Sequence, residues 1–121
     1  MLKVLILDDD ERRHGRFRKI LVDASRTHVY TARQAIAALE SNPRYDLVCL
    51  DHDLDVIPNS YNRSDSPGDG TDVANYIRDR LGSRRFPRNI LIHSVNKPAA
   101  ARMASNLRPT GIPVKLNPFP D

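Results

Sequence analysis

The chain has 121 residues, 40% of them hydrophobic, with nine prolines and a single cysteine. That length suits one domain with one sizeable core; a lone thiol excludes an internal disulfide, and no apolar run approaches the ~20 residues of a membrane helix. Nineteen Lys and Arg against fifteen Asp and Glu give a formal charge of +4 and a pI near 9.6, as expected of a polyanion-binding protein or of a plain solvated surface.

The N-terminus, MLKVLILDDD, turns acidic too soon for a secretion signal, so the protein reads as cytoplasmic. Residues 2–7 form a nearly continuous apolar run and predict a parallel strand buried on both faces. Phe17, Ile20 and Leu21 at helical spacing predict a helix over 11–23. A short strand is expected over 28–31 and a helix over 32–41, ended by Asn42-Pro43. Residues 46–50 predict a second buried strand, in which Cys49 serves as a small hydrophobe. A polar loop follows over 55–70, long enough to suggest a functional or mobile segment. Val73, Ile77 and Leu81 predict a helix over 71–81, capped by Gly82. Then come a strand over 89–93, a helix over 98–107 that Pro98 can start, and a strand over 112–116. Strict β/α alternation predicts an α/β fold with a doubly wound, five-stranded parallel sheet over residues 1–121 as one domain.

Such sheets bind ligands beyond the carboxyl ends of their strands, and the acidic residues fall there. The first strand ends in Asp8-Asp9-Asp10, the third in Asp51-His52-Asp53. Neighbouring parallel strands lie ~5 Å apart, so these carboxylates can converge. A carboxylate cluster needs a cation, and oxygen donors select Mg2+ or Mn2+ over zinc, which suits phosphoryl chemistry. Capping of the first helix accounts for one Asp of the first cluster, not for the second cluster. The fourth strand ends in His93-Ser94-Val95-Asn96, where a hydroxyl and an amide can donate to phosphate oxygens. His93 and His52 are candidate proton carriers, each also readable as a structural histidine. His14 and His28 read as surface residues away from this edge. The basic residues Arg12, Arg13, Arg16, Arg18 and Lys19, and Arg78, Arg80, Arg84, Arg85 and Arg88, cluster elsewhere, giving an acidic pocket on a basic body.

The ordered set Asp8-Asp9, Asp51, Pro67-Gly68-Asp69-Gly70, Ser94 and Asn117-Pro118-Phe119 resembles the receiver (flavodoxin-like) domain of two-component response regulators over nearly the whole chain. The resemblance implies Mg2+ or Mn2+ on Asp8, Asp9 and Asp51, with Asp53 close by, and a phosphoryl contact at Ser94. Departures are equally clear. Asn117 stands where receivers place a lysine before Pro-Phe, and Lys115, two residues earlier on the same strand face, is the candidate substitute. The loop after Asp51 carries an insertion. The chain stops after the fifth strand, so the receiver's final helix, part of the usual dimerisation and output surface, is expected to be missing, and a partner protein could cover the surface left exposed. Asp51-His52-Asp53-Leu54 and His93-Ser94-Val95-Asn96 resemble a divergent branch, the cyclic-phosphate-processing receiver domains.

That branch implies metal-dependent phosphoesterase chemistry on 2′,3′-cyclic phosphate ends of RNA, in repair or processing. Asp51, His93 and His52 would then be catalytic, with Asp51 a metal ligand or a nucleophile. Ser94, Asn96, Lys115 and Asn117 would hold phosphate oxygens, and basic helix surfaces the RNA backbone. The alternatives are a signalling receiver phosphorylated on Asp51, and a binding module that kept the fold and lost the reaction.

Overall fold

Lys3–Leu7 forms β1, and Val4 to Leu7 are fully buried, as an apolar run flanked by strands on both sides requires. The computed structural model describes residues 1–54, 68–81, 84 and 86–117; most of the expected 55–70 loop, the Gly82 cap and Pro118-Phe119 lie outside them. After β1 come α1 (Glu11–Ile20), β2 (Ser25–Val29), α2 (Ala32–Ser41), β3 (Leu47–Leu50) and α3 (Gly70–Tyr76), which widens into a π turn over Ile77–Leu81. β4 (Asn89–Ile92), α4 (Lys97–Leu107), a 3-10 turn (Arg108–Thr110) and β5 (Val114–Leu116) complete the order.

The sheet is five-stranded and parallel, in the order β2-β1-β3-β4-β5. This is the doubly wound α/β topology expected. The strand order reverses at β1, whose two neighbours are β2 and β3, so the crevice lies beyond the carboxyl ends of β1 and β3. In register, Leu7 lies opposite Leu50 and Leu50 opposite Ile92. The next residues, Asp8, Asp51 and His93, therefore emerge at one level.

One face of the sheet (Leu5, Leu7, Val48, Leu50, Ile90, Ile92) packs on α2, α3 and α4 through Ala35, Leu39, Val73, Ile77, Met103 and Leu107. The other face (Val4, Ile6, Cys49) packs on Phe17 of α1, with Leu47 and Leu91 only partly covered. Among the described residues, β5 is the last element. Cys49 is fully buried and burial pushes its thiol up to about 12, so it acts as an inert hydrophobe.

Boundaries differ from expectation where polar residues decide them. β2 starts at Ser25 rather than 28, because the edge strand pairs only with β1 and tolerates Ser-Arg-Thr-His there. It stops at Val29 because the Thr31 hydroxyl accepts from the Gln34 N–H and caps α2. α4 starts at Lys97, since the Asn96 side chain accepts from the Ala99 N–H.

Candidate active site at the carboxyl ends of β1, β3 and β4

Asp8 leaves β1 as a fully buried side chain. Its carboxylate accepts from the Asp10 N–H at 2.8 Å and from Arg13 in a two-pronged pair, Nε at 2.7 Å and Nη2 at 2.9 Å. It also accepts from His93 Nε2–H at 3.0 Å, which fixes the proton on that ring nitrogen, since a carboxylate only accepts. Burial raises the Asp8 carboxyl, but these hydrogen bonds from His93, Arg13 and Asp10 outweigh it and hold the group well below the usual carboxylate range. Asp10 is the N-cap of α1, accepting from the Arg12 N–H at 2.8 Å, so the capping role falls to the third Asp of the run.

Asp51 follows β3 and is 6% exposed. Its carboxylate accepts from the His52 N–H at 2.9 Å, and Oδ2 lies 3.5 Å from Arg13 Nη2. Burial, then the Asp8 charge, push the Asp51 carboxyl up to about 6, against the pull of His93, Arg13 and the His52 N–H. Two neighbouring carboxyls thus carry opposite shifts, one firmly ionised and one close to neutral pH, an arrangement characteristic of functional sites. Gly70 sits against this position. A Cβ there would lie 2.2 Å from the Asp51 carbonyl oxygen, and the Gly70 N–H donates to the His52 carbonyl at 3.1 Å, so only glycine lets α3 start so close.

Asp8, Asp51 and His93 each offer a ligand atom, all within 4.8 Å of one another, and together could hold a metal ion. Asp9 stands beside them, its Oδ1 3.4 Å from Arg13 Nη2. A divalent cation fits these residues. Nη2 of Arg13 already lies within 2.9, 3.4 and 3.5 Å of Asp8, Asp9 and Asp51 oxygens, marking a point where hard donors surround positive charge.

The other expected site residues form an outer ring. His52 Nδ1 and Asp53 Oδ1 are 2.7 Å apart, and His52 Nε2 lies 3.7 Å from Asp69. Asn96 Nδ2 donates to Asp53 at 3.3 Å. Hydrogen bonds from His52, then Asn96, hold the Asp53 carboxyl below its ordinary value. Asp53 therefore faces His52 and Asn96 and shares an open cavity with Asp9, Asp10, Glu11 and Arg13, while the tight group is Asp8, Asp51 and His93. Ser94 is buried, and its hydroxyl accepts from the Asn96 N–H at 3.1 Å. Lys115 and Asn117 line a separate cavity on the open sheet face with Leu47 and Leu91, and Lys115 pairs with Leu91, two residues short of His93.

Three residues change role. Arg13, grouped with the exposed basic face, turns inward onto four carboxylates, the last being Asp10 at 3.5 Å. His14 is fully buried rather than a surface residue: its Nε2–H donates to the Asp8 carbonyl at 2.8 Å and its Nδ1 lies 2.6 Å from that of His28. His28, half-buried, is drawn in because β2 begins early and pairs it with Ile6. The signal for His14 lay in its place one turn before Phe17, on the helix face that meets the sheet.

A family model of the cyclic-phosphate-processing receiver domain matches residues 3–109. The chain belongs to that family. Its fold is shared with a sensor protein from Polaromonas sp. JS666 (TM-score 0.70, 20% identity, 99% of this chain and 86% of that one). A two-component response regulator from Clostridium difficile superposes at a TM-score of 0.65, with 22% identity over 100% of this chain and 86% of that one. The Mn(2+)-bound form of response regulator Rcp1 gives 0.66, with 19% identity over 100% and 84%. At these identities the likeness is one of fold. No curated protein matches the sequence. Among the described residues of this receiver domain, no helix is long and apolar enough to cross a membrane.

Proposed function

We propose that this receiver domain processes phosphate esters, with 2′,3′-cyclic phosphate ends of RNA as substrate, in a reaction that depends on Mg2+ or Mn2+. The observation that carries the reading is the buried Asp8–Asp51–His93 group, whose ligand atoms lie within 4.8 Å of one another beyond the strand ends. Asp8, Asp51 and Asp9 would hold the cation, as the donor set suits and as the manganese-bound relative of the same fold suggests. When bound, a divalent cation supplies positive charge to offset the phosphate oxygens.

Opening a cyclic phosphate adds water across one P–O ester bond: hydroxide joins phosphorus, the ester bond breaks and the proton goes to the released ribose oxygen. Asp51, buried beside Asp8, would hold the cation against the attacked phosphate. His93 orients Asp8 through its Nε2–H. His52, held between Asp53 and Asp69 at the rim, is the candidate donor to the leaving oxygen. Ser94 and Asn96, at the end of β4, would be ligands for phosphate oxygens; Asn117 follows Leu116, which pairs with Ile92, and so reaches the level of His93, while Lys115 pairs with Leu91, two residues short of it. Arg12, 89% exposed beside the capping Asp10, supplies basic surface for the RNA backbone at the cavity mouth.

The test is an RNA with a 2′,3′-cyclic phosphate end, incubated with the protein and Mg2+, Mn2+ or EDTA and read by gel mobility. Metal-dependent change of the end, lost in Asp51→Asn, is the expected result. An unchanged end together with stable acetyl phosphate labelling of Asp51 would instead identify a signalling phosphoacceptor.

A further inference from the structure

Arg13 occupies the third position of α1, after the capping Asp10. The first turn of a helix favours acids and disfavours cations, so nothing in the helix itself recommends an arginine there. Its guanidinium nonetheless turns inward, with only 21% of the side chain exposed, and spans four carboxylates. Nε and Nη2 take both oxygens of Asp8 at 2.7 and 2.9 Å. The same Nη2 lies 3.4 Å from Asp9 and 3.5 Å from Asp51. One nitrogen therefore stands where those three carboxylates converge. Mg2+ bonds oxygen at about 2.0–2.1 Å, so a divalent ion on Asp8, Asp9 and Asp51 needs the space that Nη2 fills.

We propose that Arg13 is a tethered counterion that alternates with the divalent cation. It closes the carboxylate cluster in the metal-free protein, and metal entry turns it out into the open cavity lined by Asp9, Asp10, Glu11 and Asp53. The inference rests on the reading that the cluster takes a divalent cation. It explains how a buried carboxylate as strongly paired as Asp8 is tolerated without metal, and it makes Arg13 the residue that sets the metal concentration at which the site fills. Competition of this kind raises the apparent dissociation constant by the reciprocal of the fraction in which the guanidinium is undocked; with about one molecule in ten undocked, the constant rises about tenfold.

The experiment is calorimetric titration of the whole chain with Mn2+ and with Mg2+, for wild type, Arg13→Gln and Arg13→Lys, with thermal melts in EDTA and in saturating Mn2+. Arg13→Gln is expected to bind Mn2+ at least about tenfold more tightly than wild type, to melt lower in EDTA and to regain its melting temperature in Mn2+. Arg13→Lys keeps the charge but cannot bridge two oxygens of Asp8, and is expected to fall between; it carries the test if Arg13→Gln does not fold. Unchanged or weaker metal binding in the variants, with wild type binding normally, overturns the proposal and leaves the metal reading standing. Absence of binding by all three proteins at millimolar Mn2+ overturns both.

Discussion

Asp51→Asn is expected to stabilise the metal-free protein at neutral and alkaline pH. Asp51 is 6% exposed, and burial together with the Asp8 charge lifts its carboxyl to about 6, against roughly 3.9 in an unfolded chain. For an acid whose folded value is raised, the folded state holds the proton more tightly; stability is fullest below the unfolded value and is lost as pH rises through about 6. A difference of about two units corresponds to about 3 kcal/mol as an upper bound, and the nearby Arg13 reduces it, so a gain of about 1–3 kcal/mol is expected for the uncharged amide at pH 8. For a domain of this size that is roughly 4–12 °C in melting temperature. Circular dichroism melts in EDTA at pH 8, 6 and 4.5 would show the variant ahead at pH 8 and most of its lead gone at pH 4.5. Millimolar Mn2+ would reverse the order at pH 8, because wild type alone keeps the full ligand set. An Asp51→Asn protein that melts below wild type in EDTA at pH 8 refutes the reasoning, since Arg13 would then already compensate the Asp51 charge in full.

Three further outcomes follow from the same geometry. Asp8→Ala strips Arg13 and His93 of their shared acceptor and is expected to cost about 2–4 kcal/mol in urea unfolding, less than a fully enclosed pair because Arg13 can reach solvent. Gly70→Ala forces a Cβ against the Asp51 carbonyl oxygen and is expected to cost about 2–3 kcal/mol; a neutral result would show that α3 can shift away without loss. His28 carries the opposite pH dependence to Asp51. Burial, then the His14 charge, push its imidazole down to about 4, so the unfolded chain takes up the proton first and stability is lost as pH falls from about 6.5 towards 4. In an Asp51→Asn background, His28→Gln should flatten the urea midpoint over that window, and an unaltered slope would assign it to other groups.

The parts of this fold that could be read from sequence are those where burial leaves a composition signature. β1, β3 and β4 are apolar runs flanked by strands on both sides, and the rule for doubly wound sheets places the carboxylates that end β1 and β3 in one crevice. β2 is an edge strand of Ser-Arg-Thr-His-Val with little apolar signal, so the sequence pattern puts its start three residues late and His28 on the surface. By spacing alone Arg13 is one more member of a basic helix face, because side-chain direction back over the N-terminus depends on what lies beyond Asp10. Asp53, two residues from Asp51, reads from sequence as a metal ligand; the turn after β3 sets its carboxylate against His52 and Asn96, contacts that spacing does not show.

The proposed function makes Asp8, Asp9 and Asp51, with His93 behind Asp8, a metal-dependent centre for cyclic phosphates. Phosphorus NMR of a 2′,3′-cyclic nucleotide incubated with the protein tests it most directly, since the strained cyclic diester and the monoester product give separate signals. Conversion to a monoester is expected with Mn2+ or Mg2+, none in EDTA and none with Asp51→Asn. A cyclic signal that persists with either metal and wild-type protein, under conditions where Mn2+ binding is seen by calorimetry, would contradict it.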